Sequence, residues 1–562
     1  MTPVLLPSGG RVEPRAHGPL IPELLRCRDR LARRVAARVG PDGLLRAPCE
    51  SRVLESALAL WLLTAEGAAP RARRRLVRYL RDALDGSPPD PVQRALGRAA
   101  LGLAGADAGA GRADRAAARA PDAVDRVTAD HLTDHLTADR VTADHLTADR
   151  VTADHLTADH FTAGRKRLMF GILLAELGVG EFPRVRPEAY DMRGQQSWLQ
   201  LEMTSLKIMA AYGTGAPGLV TAADWAVLAP AVRPGPAWEC NNLARLLGLL
   251  ALRKHPAHRR AVRRVLVDVL AGLRTDGGLP FITGMGLFAT ATAGLALVRC
   301  GYAGPLVDRM AEALAGRQNP DGGFGFHPGV TQSDVDDTSY AVEFLRGSGA
   351  ARHRGRIGAA ERYLLDRRNP DGGFPTYARG IPSEIAMTAG AVNALAPNPA
   401  HRAVVEHGVR FIAAGQRPDG GFGRGWSRNA SNAVFRAVLA CDAVRAGAGP
   451  AARPELDLVR RRAVGHLVAT GNADGGWGHR PGDPSDPIST AYAVIALAGS
   501  AEHDPLLGRA VRLLTDRQQA DGGYLSRPDQ AGPRPLLYDV PALADVSVLL
   551  GLAHVTAGPA RR

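Results

Sequence analysis

In HPGVTQSDVDDTSYAVEFL, residues 327–345, three carboxylates occupy four positions: Asp334, Asp336 and Asp337. They open an otherwise apolar run that reads as a helix. A single Asp there would do no more than cap, accepting orphan amides and matching the positive end of the helix dipole. Three packed together cannot all ionise, so at least one should keep its proton near neutrality. A neutral, partly desolvated carboxylic acid is the group that protonation of an alkene demands. The helix dipole pulls the other way, towards the ionised form. On residue chemistry alone, a general-acid cluster and a capping cluster both stand.

The elements that must position these carboxylates are announced by a repeat. DGG followed by an aromatic or aliphatic residue recurs with its Asp at 276, 321, 371, 419, 474 and 521, at spacings of 45, 50, 48, 55 and 47. Such a period fits two helices and their turns. Between the marks lie small-residue apolar runs: ATATAGLAL (289–297), TSYAVEFL (338–345), TAGAVNAL (388–395), NAVFRAVL (432–439) and TAYAVIAL (490–497). Each is followed by an Arg-rich amphipathic stretch such as AERYLLDRR (360–368). An all-apolar helix alternating with an amphipathic one describes an inner and an outer ring, so the expected fold is all-α, an α/α barrel. The glycines allow the tight turn, the Asp can bond nearby amides, and the following aromatic can fill the gap between helices.

Before residue 265 the idea repeats less cleanly, in GPDGLLRAP from 40, ESRVLESALALWLL from 50 and WECNNLARLLGLLAL from 238. The expected division is a segment 1–20 packing on the second barrel, a first helical domain at 21–265, and a second barrel at 266–562 that carries DVDD. A low-complexity run of RVTADHLTADRVTADHLTADHFTA type at 126–163 has a five-residue period that matches neither a helical face nor a strand. It reads as a surface insertion. Its Asp and His residues could bind metal, though a solvated tandem expansion is the plainer reading.

Composition narrows the function classes. The formal charge of +14 comes mostly from arginines spread through the chain, with no basic stripe interleaved with aromatics, which argues against nucleic-acid binding. Cys27, Cys49, Cys240, Cys300 and Cys441 are scattered and read as buried thiols, not as a zinc site or disulfide framework. No stretch approaches the roughly 18 apolar residues of a spanning helix, and the start lacks an apolar run behind a basic patch, so a cytoplasmic protein is expected.

DVDDT at Asp334–Thr338, together with the six DGG marks, resembles the class II terpene cyclases: bacterial diterpene and drimenyl-type cyclases, copalyl diphosphate synthases and, more distantly, squalene-hopene cyclases. The resemblance runs from about residue 165 to the end and, weakly, over 20–65. It implies two α/α barrel domains and protonation-initiated cyclisation of a linear prenyl diphosphate, with Mg2+ as cofactor. Asp336 would be the general acid, with Asp334 and Asp337 orienting it. GGLPFITGMGLFATATAGLALVRCG (277–301) resembles the segment whose helix ends in a diphosphate-binding arginine, here Arg299. EMTSLKIMAAYG (202–213) resembles a far-wall stretch and contains Lys207; SEIAMTAGAVNAL (383–395) matches the helix against the acid, with Asn393 one residue out of register.

Where plant copalyl synthases carry a terminating Asn and His, this chain has Phe281 and Ile208, which implies a different terminating base. Bulky Phe281 and Trp238 would shorten the cavity and keep a C15 substrate in play beside a C20 one. The acidic magnesium motif, expected just before RKRLMFGILLAELG (165–178), falls in the TADHL repeat, where Asp154 and Asp159 are the nearest carboxylates. Trp238, Phe288, Tyr340 and Trp426 are candidates for stabilising a travelling cation with their ring faces, or ordinary core. No DDxxD motif occurs, so the product should keep its diphosphate and pass to a phosphatase or class I terpene synthase. The alternatives are a squalene-type triterpene cyclase, which would need an apolar membrane-binding surface, and a prenyltransferase β subunit, whose zinc ligands are not matched by Cys441-Asp442. A non-catalytic isoprenoid-binding barrel would have no reason to hold DVDD.

Overall fold

A computed structural model describes residues 21–86, 90–109, 163–447, 454–498, 503–534 and 536–556. They fall into two compact units: one takes the chain up to Pro48, Gly284–Gln530 and Val540 onward, the other Cys49–Thr283 and Ala531–Asp539. Apart from one short ribbon, the described residues are helical or irregular.

In the first unit six helices close a ring: Gly286–Arg299, Val335–Gly349, Ile385–Leu395, Ala430–Gly447, Pro487–Leu497 and Ala542–Thr556, each packed on the next and the last on the first. Their residues are buried almost all round, as expected of helices enclosed on every side. Five amphipathic helices, Pro305–Ala315, Arg354–Arg367, Arg402–Ala414, Pro454–Thr470 and Asp504–Asp516, pack outside, each on the inner helix before it. The sixth outer helix comes from the other end of the chain. Ile21–Ala37 packs on Ala542–Thr556 and on Asp504–Asp516. Arg34 Nε and Arg38 Nη1 reach the buried Asp545 carboxylate at 2.9 and 3.2 Å.

This corrects the expected division. Residues 21–48 join the second-half barrel, because that half supplies only five outer helices for six inner ones, and residues 266–283 join the other unit. The segment 1–20 lies outside the described residues.

Five DGG marks, from Asp321 onward, are the joints of the ring. In each, the first glycine has a φ between 84° and 87°. The Asp accepts a hydrogen bond from the second glycine's amide, as at Asp321 (3.0 Å), Asp371 (2.9 Å) and Asp474 (3.0 Å). A Cβ on Gly322 would come within 2.7 Å of the Ala359 carbonyl oxygen, so the close approach to the outer helix requires glycine as well. The following aromatic donates its amide to a Thr in the next inner helix: Phe324 to Thr338 and Phe374 to Thr388 at 2.9 Å, Trp477 to Thr490 at 3.1 Å. These three inner helices therefore start in the same way, each tied to the mark before it.

The second unit holds a ring of Val53–Ala65, Pro91–Gly109, Ala163–Glu176, Ser197–Gly213 and Asn242–Leu252, with the last packed back on the first. Pro70–Asp85 packs outside it. Ser51 and Arg52 pair antiparallel with Pro280 and Leu279. Residues 110–162, which contain most of the low-complexity run with Asp154 and Asp159, are outside the described set.

Candidate active site

The carboxylate cluster sits at the start of Val335–Gly349. Asp334 is the N-cap: extended at φ −136° and ψ 167°, it accepts the Asp337 amide on Oδ1 at 2.8 Å. The Thr338 hydroxyl donates back to the Asp334 carbonyl at 2.6 Å, and Asp334 N–H bonds the Phe324 carbonyl at 3.0 Å. The capping reading is thus correct for Asp334, and it does not account for the other two.

Asp334 and Asp337 are both buried and share a side-chain hydrogen bond. Burial pushes the Asp334 carboxyl up to about 6, with contact with Asp337 working against that rise. Burial and the neighbouring Asp334 charge hold Asp337 well above the ordinary carboxylate range. Near neutrality the pair therefore carries one proton, on Asp337, donated towards Asp334. Desolvation and like-charge crowding outweigh the helix dipole here.

Asp336 differs from both. Its side chain is 24% exposed, and Oδ1 lies 2.7 Å from Nη2 of Arg436, a residue of the inner helix Ala430–Gly447. The contact is an ion pair that is not aligned as a hydrogen bond; Asp336 Oδ1 and Arg436 Nε have no hydrogen-bond partner among the described residues. The exposed part of the Asp336 side chain lies away from that oxygen. Arg436 is buried, and its guanidinium carbon stands 4.5 Å over the Tyr340 ring. Burial alone would weaken its charge; Asp336, together with Tyr340, Tyr492 and Glu343, more than restores it.

Tyr340 and Phe288 meet edge to face at 5.4 Å, so two of the expected aromatics do stand together beside the acid helix. Trp426 braces the helix start indirectly. Its Nε1 donates to the Thr376 hydroxyl at 2.9 Å, while the Thr376 carbonyl accepts the Val335 amide at 2.9 Å. The Trp426 ring also lies edge to face with Tyr377 at 6.0 Å.

Other expected residues are placed differently. Asn393 is on Ile385–Leu395, but no hydrogen bond joins it to Asp336 among the described residues; the polar partner is Arg436. Arg299 ends its inner helix, away from the end where the acid cluster sits. Its field acts on Glu343, seven residues and about 10 Å along the helix from Asp336. In the second unit Lys207 Nζ is held 2.7 Å from Asp224 Oδ2, and the same carboxylate closes a capping box on Thr221. That ammonium, a candidate substrate-binding group of the far-wall stretch, is engaged in an ion pair within its own unit. Phe281 packs on Tyr538 at 5.1 Å beneath the Arg52 guanidinium at 4.5 Å. Ile208 is fully buried. Trp238 is followed by Glu239 and Cys240, both at left-handed φ (51° and 53°), a costly conformation for residues with side chains.

Sequence reasoning missed Arg436, and it missed a buried group in the second unit. There burial brings the Lys166 ammonium down to about 7 and the Glu202 carboxyl up to about 7, with Arg165 close to both. Glu202 accepts from Asn241 at 3.4 Å.

Residues 381–532 match the squalene-hopene cyclase C-terminal domain. The whole chain is 59% identical to a drimenyl diphosphate synthase of Streptantibioticus cattleyicolor, covering 99% of that protein. It is 57% identical to a drimenyl diphosphate synthase of Streptomyces showdoensis, with 95% of each chain covered. The solved ent-copalyl diphosphate synthase from Streptomyces platensis superposes with a TM-score of 0.55 at 18% identity, over 95% of this chain and 100% of that one, a likeness of fold.

Proposed function

Because the chain belongs to the class II terpene cyclases, we propose that it converts farnesyl diphosphate to a bicyclic drimane-type diphosphate. The observation that carries this is the partly exposed Asp336 beside a buried Asp334–Asp337 pair that already holds a proton. Asp336 gives its proton to the terminal alkene. The tertiary cation formed is attacked in turn by the internal double bonds, closing two rings. A proton is then lost from the bicyclic cation, so the reaction is an isomerisation and the carbon–oxygen bond to diphosphate stays intact. Tyr340 and Phe288 offer ring faces near the acid, where a developing cation gains from the aromatic quadrupole.

The product named for both full-length relatives supports the shorter substrate. The product is proposed to pass to a phosphatase or a class I synthase. Among the described residues no group of three or more His, Cys, Asp or Glu could hold a metal ion, and no helix is long and apolar enough to cross a membrane. Magnesium held by Asp154 and Asp159 is proposed only as company for the diphosphate; no step above passes through it, and chelator titration of turnover tests it.

The deciding experiment incubates purified protein with farnesyl or geranylgeranyl diphosphate, treats the products with phosphatase and identifies the alcohols by gas chromatography and mass spectrometry. A bicyclic C15 alcohol, absent with Asp336→Ala, is expected. Linear alcohols from both substrates would refute the proposal; a bicyclic C20 alcohol alone would refute its chain length.

A further inference from the structure

We propose that Arg436 is the positioning residue of the acid: led to Asp336 through a gap that Gly390 leaves in the barrel wall, its guanidinium fixes the carboxyl and stabilises the carboxylate formed when the proton leaves. This rests on the reading of Asp336 as the acid.

The repeat makes the gap visible. Tyr340 stands seven residues after Ser333, and Tyr492 seven after Ser485; the residue seven after Ser383 is Gly390. The helix with the glycine lies in the ring between the helix of Asp336 and the helix of Arg436. A Cβ on Gly390 would fall 2.9 Å from Arg436 Nη1. A tyrosine there, as in the other two repeats, would occupy the path of the guanidinium. The missing side chain is thus matched to a long one that crosses the intervening helix to end 2.7 Å from Asp336.

The charges around the pair leave Arg436 as the counter-cation. On the acid helix are Asp334, Asp337, Tyr340 and Glu343; Tyr492, from the helix beyond, also faces Arg436, and Asp529 faces Tyr340. Ile385–Leu395 contributes no titratable group, and Arg299 acts on Glu343 further down the barrel. An alkene is a very weak base, so proton transfer is favoured by whatever stabilises the conjugate carboxylate at that moment. A fixed cation in a desolvated wall does so without reorganising. The cost is that the protonated form is held over a narrower pH range.

That cost supplies the test. Turnover, KM and the pH–rate profile are measured for the wild type, Arg436→Met, Arg436→Lys and Gly390→Ala, with Asp336→Ala as the control for the acid itself. Arg436→Met should lower kcat by about 10²-fold with KM within about threefold, and the alkaline limb of its profile should move to higher pH. Arg436→Lys keeps the charge without the planar fork and should restore about tenfold of that loss. Gly390→Ala should shift kcat and the profile in the same direction, by less. A kcat for Arg436→Met within threefold of wild type, or a lower kcat with an unmoved pH profile, would overturn the proposal. If Arg436→Met does not fold, Gly390→Ala decides: a wild-type rate and profile with alanine in the gap would equally overturn it. An inactive Asp336→Ala beside such results removes the role of Arg436 and leaves the acid standing; an active one removes the acid reading itself.

Discussion

The helices Val335–Gly349 and Pro487–Leu497 begin with one device. Ser333 and Ser485 donate to the Asp of the preceding DGG mark, at 2.8 and 2.7 Å. Asp334 and Asp486 cap, each accepting the amide three residues on, at 2.8 and 2.9 Å. Thr338 and Thr490 receive the amide of the aromatic. Between cap and threonine three positions differ, Val335-Asp336-Asp337 in one and Pro487-Ile488-Ser489 in the other, and the last two carry the polar change. Ser489 donates its hydroxyl to the Asp486 carboxylate at 2.5 Å, so the buried cap is satisfied by a group that always has a proton to give. Asp337 stands where that hydroxyl would be and can donate only if it stays protonated. Replacing a hydroxyl by a carboxyl forces a retained proton into the pair, and replacing isoleucine by aspartate puts an acid on the adjoining position. The cap is a structural inheritance of the repeat; the chemistry is what has been added to it.

The comparison can be broken most severely at the added acid. Asp336→Asn should lower turnover by about 10²–10⁴-fold, whereas Ile488→Val should leave it within about twofold, both read from steady-state product formation. The shared frame predicts the opposite pattern, equal losses. Gly322→Ala and Gly475→Ala each place a Cβ at φ 87°, within 2.7 Å of the Ala359 carbonyl oxygen or 2.6 Å of Arg509 Cβ. Both should destabilise by about 1–3 kcal/mol in denaturant titration, and a harmless result at either site would show that the two joints are not equivalent.

Asp337→Ser transplants the hydroxyl of the counterpart helix. A buried carboxyl held well above the ordinary carboxylate range, as Asp337 is, binds its proton more tightly folded than unfolded. Its contribution to stability is therefore complete in acid, below the ordinary carboxylate range, and is lost as pH rises through the raised value of the folded state. The variant should flatten that fall in stability with rising pH, while turnover drops. An unchanged pH dependence would mean that the retained proton lies elsewhere. The smallest effect is expected at Trp426→Phe, which removes the hydrogen bond to Thr376 beside the Val335 amide. A loss of about 0.5–1.5 kcal/mol is expected by thermal denaturation. The counterpart of Val335 is Pro487, which has no amide to be met, so the tryptophan brace is particular to the acid helix.

Much of the fold was legible because its signals are local. Each DGG glycine, each capping Asp and each apolar run acts within a few residues, where hydrogen-bond geometry and periodicity leave little choice. The carboxylate cluster was legible for the same reason. The partner of Lys207 was not legible, because a basic residue in a resembling stretch says nothing about Asp224, seventeen positions away, which holds it. Arg436 was missed because it acts a hundred residues from Asp336. One local signal did point to it, a glycine at the register where two other repeats carry tyrosine.

By itself the sequence determined the period of the barrel, the inner and outer character of its helices and the place where three carboxylates meet a helix start. Only the tertiary structure decided that the helix Ile21–Ala37 completes the outer ring, that the retained proton belongs to Asp334 and Asp337, and that Asp336 faces Arg436. The physical reason is that ring closure, desolvation and charge pairing depend on what distant segments bring to the same point, and spacing along the chain does not carry that information.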